Sequence, residues 1–235
     1  MTVSDVALVV GCGLLGVLAG AVIPPWVARL PEPPMVDGET KVPYAELARR
    51  PGLAVAGAAL LAPCFGLLAW RLGTDAALPA VLYVATVGVL VGYVDLRVRL
   101  LPNAVVLPSY GVVIALLTVA AAWSDAWGSL LRALVGGIAL WGFLAFLGVL
   151  APSGMGFGDV KLGGVLGLTL GWFGLGHVVV GILVAFVLGG LVSLGMILTR
   201  RATRTTAIPF GPFLVLGFVV AVLGGDLLVD WYLGG

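Results

Sequence analysis

HVVVGILVAFVLGGLVSLGMIL, residues 177–198, contains no Asp, Glu, Lys or Arg. Coiled into a helix at about 1.5 Å per residue, such a run crosses the roughly 30 Å hydrocarbon core of a bilayer in one pass. The stretches 5–23, 52–70, 79–95, 104–122, 129–150, 159–174 and 210–230 read the same way or nearly so. The sequence therefore predicts an all-α fold: a polytopic integral membrane bundle of about eight transmembrane helices, one membrane domain over residues 1–235 with the lipid bilayer as its solvent. The segment 159–174 is short and rich in glycine, and is expected to be tilted, broken or buried by its neighbours. No Lys or Arg precedes Arg29, so the first segment lacks the basic start of a secretory signal and is expected to stay as a helix.

Composition agrees. Of 235 residues 61% are hydrophobic and 10% charged, and the mean hydropathy is +1.20, which excludes a water-soluble domain. A net charge of +1 excludes a phosphate-driven nucleic-acid binder. Cys12 and Cys64 lie inside apolar runs with no Cys or His at ligand spacing, so neither a metal site nor a disulfide is expected, and no cofactor. His177 stands alone between two apolar segments and reads as an interface residue. The longest polar stretch, the loop 24–51, carries Pro24, Pro25, Pro31, Pro33, Pro34, Pro43 and Pro51, which are expected to break any long helix there. Such a loop can cover a site but is too short to build a core. The 36 glycines are expected to let helices approach closely.

Orientation follows from the basic residues, which mark the cytoplasmic side of a membrane protein. With eight crossings, one side holds Arg29, Lys41, Arg49, Arg50, Arg97, Arg99, Lys161, Arg200, Arg201 and Arg204; the other holds only Arg71 and Arg132. Both termini then face away from the cytoplasm. Glu32, Asp37, Glu39 and Glu46 lie in the cytoplasmic loop, leaving Asp95, which closes the third segment, and Asp159, which opens the sixth, at one membrane boundary. Acids kept at such a boundary are costly and point to function.

Asp95 lies in Gly92-Tyr93-Val94-Asp95-Leu96-Arg97-Val98-Arg99-Leu100-Leu101-Pro102-Asn103, where one helix ends and Pro102 prepares the next. Asp159 lies in Gly154-Met155-Gly156-Phe157-Gly158-Asp159-Val160-Lys161-Leu162, whose alternating glycines allow backbone conformations closed to other residues. A phosphate loop is excluded, because no Ser or Thr follows the Lys and the spacing is wrong. A single acid at a helix end reads equally as a cap; two at one depth read as a pair. Lys161, two residues from Asp159, points to a different helix face and is expected to reach for the phosphate level. Gly156, Gly158, Lys161, Pro102 and Asn103 are the candidates for shaping the site or binding substrate.

These motifs, with Ile208-Pro209-Phe210-Gly211-Pro212-Phe213 and Val27-Ala28-Arg29-Leu30-Pro31, give the chain its likeness to a family: it resembles the type IV prepilin peptidases, membrane aspartic proteases of the Gly-x-Gly-Asp kind. The resemblance runs from about residue 79 to the C-terminus. It implies an endopeptidase of the cytoplasmic (inner) membrane that removes a short basic leader from type IV prepilin or pseudopilin precursors at the cytoplasmic face. Asp95 and Asp159 fall on the family's two catalytic aspartates. Many members also methylate the new N-terminus and hold zinc on paired Cys-x-x-Cys sequences in the first loop. Residues 24–51 contain no cysteine, a departure that argues against zinc and against methyl transfer. The four acids of that loop are candidate attractors for a basic leader. Two close carboxylates sharing a proton supply both the base that activates water and the acid that polarises the carbonyl. By helix position, Asp159 near an N-terminus is expected to favour the anion, and Asp95 near a C-terminus the protonated acid. The same acids would also suit a proton-coupled transporter, although such pathways centre on the midplane.

Overall fold

The computed structural model describes residues 2–32, 42–150, 156–200 and 209–233. Among these residues the regular structure is helical: α1 (Val3–Ala28), α2 (Tyr44–Ala48), α3 (Leu53–Leu72), α4 (Leu78–Val98), α5 (Asn103–Ser124), α6 (Trp127–Leu150), α7 (Phe157–Phe173), α8 (Leu175–Leu198) and α9 (Gly211–Leu233). Seven of them, α1, α3, α4, α5, α6, α8 and α9, are long and apolar enough to cross a membrane. The protein is a multi-pass helical membrane protein.

The sixth expected span, α7, has 17 residues, shorter than the seven, and it occupies the middle of the bundle. Thirteen of its residues are buried, from Asp159 to Trp172, and α4, α5, α6, α8 and α9 all pack on it. Enclosed by protein on every side, it has no lipid boundary to match, which frees it from the usual length. Its glycines serve that packing. A Cβ on Gly136 of α6 would lie 2.7 Å from the Gly167 carbonyl, and one on Gly167 would lie 2.9 Å from the Leu140 Cβ.

At the first crossing the proline expectation fails. The helix α1 runs through Pro24 and Pro25 to Ala28. Each proline removes one backbone hydrogen bond, but Ile23 and Val27, both fully buried, carry the packing face past them. A close approach of α1 to α3 adds to this, since a Cβ on Gly20 would strike the backbone of Gly57 and Ala58. Tertiary packing thus outweighs the local penalty. Beyond α1, Pro43 precedes the single turn and a half of α2, whose Tyr44 and Leu47 are buried against the bundle.

Polar contacts tie the helix ends together. At the end opposite Asp95 and Asp159, Arg71 of α3 forms an ion pair with Asp226 of α9 and donates from Nε to the Leu223 carbonyl at 3.1 Å. His177 of α8 places Nε2 3.3 Å from the other Asp226 oxygen, and its ring lies 5.8 Å from that of Phe173. His177 is therefore more than a boundary residue: it is the buried member of a three-helix clamp. Asp226 is half exposed, so solvent weakens the clamp. We expect Asp226→Asn to lower the midpoint of thermal unfolding by about 2–4 °C. A differential scanning measurement in detergent showing no shift would remove the clamp from the stability of the bundle.

Candidate active site

Asp95 sits in the last turn of α4 and is 5% exposed. The helix stops at Arg99, which takes the left-handed conformation (φ 53°) and donates its N–H to the Asp95 carbonyl at 2.8 Å. This reversal brings Leu101 and the buried Pro102 back toward the carboxylate. The partner of that carboxylate comes from 116 residues further on: the N–H of Gly211, the first residue of α9, donates to Asp95 Oδ2 at 3.1 Å. A helix start leaves its first amides without helical partners. Here Gly211 uses Asp95, Pro212 has no N–H, and the Phe213 and Leu214 amides bond the Phe210 carbonyl. The Pro209-Phe210-Gly211-Pro212-Phe213 motif is thus the element that holds Asp95 in place.

Asp159 is the third residue of α7 and is 6% exposed. Its Oδ2 accepts the Gly156 N–H at 3.3 Å, closing the helix start, while Oδ1 is buried with no hydrogen-bond partner among the described residues. The glycine beside Asp159 and the glycine that binds Asp95 share one neighbouring side chain. A Cβ on Gly158 would come within 2.7 Å of the Leu101 Cβ, and one on Gly211 would lie 3.4 Å from Leu101 Cδ2 and 2.9 Å from Asp95 Oδ2. Leu101 therefore wedges between the two carboxylate-bearing ends.

Two expectations are corrected here. Gly156 has φ −74° and Gly158 is not among the residues of positive φ, so both matter for their lack of a side chain rather than for unusual backbone geometry. Gly154 and Met155 lie outside the described residues. The helix-end asymmetry also goes, because Asp95 at the close of α4 simultaneously faces the start of α9. Both carboxylates see a helix N-terminus.

Lys161 turns away from Asp159, as its spacing predicts, but does not simply reach for the membrane surface. Its Nζ donates to Asn103 Oδ1 at 2.9 Å and lies 4.9 Å from the centroid of the Phe157 ring. That bond joins the starts of α5 and α7, and Pro102 immediately before Asn103 sets the entry of α5. Tyr110, which the sequence reading missed, donates its hydroxyl to the Lys161 carbonyl at 2.7 Å and fills the space a side chain on Gly164 would need. A hydroxyl placed opposite a glycine is a weak signal in sequence. Of the four loop acids, Glu32 accepts the Tyr44 N–H at 2.8 Å and so caps α2. Glu46 is exposed, and Asp37 and Glu39 lie outside the described residues. Among the described residues no three His, Cys, Asp or Glu side chains converge as metal ligands would.

A bundle that buries two carboxylates at one end, among the starts of α5, α7 and α9, belongs to the class of polytopic membrane proteins that keep acids at their helix ends. Comparison with known proteins finds a family likeness: residues 82–194, a span containing both aspartates, match the type IV leader peptidase family. It is 35% identical over 184 residues to a prepilin leader peptidase/N-methyltransferase of Aeromonas hydrophila, covering 77% of this chain and 58% of that protein. Proteins of the same description from Stutzerimonas stutzeri and Pseudomonas aeruginosa are 35% and 33% identical, each covering 72% of this chain and 57% of the relative. The chain thus spans somewhat over half the length of these curated relatives. No solved structure matches it.

Proposed function

We propose that the protein is an aspartic endopeptidase, a single membrane peptidase domain, that removes the basic leader of type IV prepilin or pseudopilin precursors at the cytoplasmic face of the inner membrane. What supports this reading most is that Asp95 and Asp159 are both buried, each anchored by one backbone amide, with Leu101 lying against Gly158 and Gly211 beside them. One carboxylate, ionised, takes a proton from water as that water attacks the scissile carbonyl; the other, protonated, donates to the carbonyl oxygen. The gem-diol then collapses as a proton passes to the departing amine. Asp159 Oδ1, buried and without a hydrogen-bond partner among the described residues, is the oxygen assigned to water or to the shared proton. The pair titrates as a unit, so base and acid are roles of the dyad.

Gly158 makes room for the Leu101 side chain and Gly156 supplies the amide that Asp159 holds, while Pro102, Asn103 and Lys161 brace the α5 and α7 starts. Zinc and methyl transfer are not part of this proposal, since residues 24–51 lack cysteine. Incubation of the purified protein with a pilin-like precursor, followed by mass measurement, tests it. A product shortened to the residue before the apolar helix is expected; an intact precursor overturns the peptidase, and an added methyl mass overturns the exclusion of methyl transfer. Lys161→Met is expected to lower kcat about tenfold, because it frees α7 from α5 at the cost of one charge-assisted hydrogen bond. An unchanged rate in the same mass assay would reduce Lys161 to a surface contact.

A further inference from the structure

We propose that Tyr93 is a positioning residue for Asp95, acting through the short helix α2. The proposal rests on the peptidase reading given above. Tyr93 Oη donates to the Leu47 carbonyl at 3.0 Å, a carbonyl in the last turn of α2 that also accepts the Arg50 N–H at 3.3 Å and uses its second lone pair for Tyr93. The helix α2 is itself fixed: Glu32 at the exit of α1 caps its first amide, and Tyr44 and Leu47 are 2% and 0% exposed. The guanidinium of Arg97 covers the other side of the Tyr93 ring at 5.7 Å from its centroid.

Residues 93 and 95 are separated by about 200° around a helix. The final turns of α4 are therefore gripped from opposite sides, by α2 through Tyr93 and by α9 through the Gly211 amide on Asp95. A helix end close to its last turn frays unless held, and a carboxyl that must meet a second one tolerates displacements of only about 0.5 Å. The helix α2 thus acts on the site from behind, as a strut.

Tyr93→Phe removes the hydroxyl and keeps the ring. The expected result is a fall in kcat of about tenfold with KM within about twofold, and about tenfold faster hydrogen exchange at the Gly211 amide, since one hydrogen bond contributes about one decade. Tyr83→Phe is the control: it deletes a hydroxyl of the same helix, hydrogen-bonded to Ser109 at 3.0 Å three turns away, and is expected to leave both readouts at wild-type values. A Tyr93→Phe enzyme with wild-type kcat, or with unchanged Gly211 exchange, overturns the strut. Equal effects of the two variants overturn it as well, by reducing Tyr93 to general packing. If wild-type protein fails to cleave, the peptidase reading falls, and the exchange measurement alone still decides whether Tyr93 holds the Asp95 end of α4.

Discussion

Asp95→Asn and Asp159→Asn are each expected to lower kcat for precursor cleavage by about a thousandfold while leaving the protein folded and inserted. Asparagine has the shape of aspartate, and its amide oxygen still accepts from Gly211 at position 95 or from Gly156 at position 159. The anchoring survives while the proton chemistry is lost. Since the two acids act as a unit, the double variant is expected to be no slower than either single one. Quantifying cleaved and uncleaved precursor by mass, with thermal unfolding of each variant alongside, separates chemistry from folding. A single variant that retains a tenth of the wild-type rate would end the dyad. If both variants cleave normally but lose a proton-driven flux in vesicles, the transporter takes its place.

The crossings were legible because uncharged runs of about twenty residues have few soluble interpretations. The placing of Asp95 and Asp159 at helix ends on one side of the bundle was legible too, from their positions at the close of one apolar run and the opening of another. Less was readable where long-range contacts decide. Nothing local to Gly211 announces that its amide will serve a carboxylate 116 residues earlier; only the flanking prolines, which fix a helix start there, hint at a free donor. Pro24 and Pro25 argued for a helix end at a point where the burial of Ile23 and Val27 extends the helix instead. His177 looked solitary because its partner Asp226 and the Arg71 beside it come from two other helices. Glu32 illustrates the same limit in reverse. As one of four loop acids it looked like part of a charged surface, yet its carboxylate is committed to capping α2. Charge alone does not show which acids are free to meet a substrate.

Gly167→Val is expected to do nearly as much damage as loss of an aspartate, although residue 167 lies eight positions, about 12 Å, along α7 from Asp159. A Cβ at this position would press on the Gly136 carbonyl and sit 2.9 Å from Leu140 Cβ, and valine adds two methyl groups beyond that. Backbone atoms cannot rotate aside, so α6 and α7 must separate. Overpacking of this kind costs about 1–3 kcal/mol, a drop in thermal midpoint of about 2–12 °C for a chain of this size. The tilt of α7 carries Asp159 with it, and a displacement of about 1 Å at a reacting group costs about a hundredfold in rate. Gly142→Ala, on the same helix α6 but with nothing within 4 Å of the added carbon, is expected to leave both midpoint and kcat at wild-type values. The contrast depends on the geometry of the α6–α7 contact rather than on a general intolerance of glycine substitution. Equal behaviour of the two variants in paired unfolding and cleavage measurements would mean that α7 is not held by α6, and that the position of Asp159 is set by its own helix start alone.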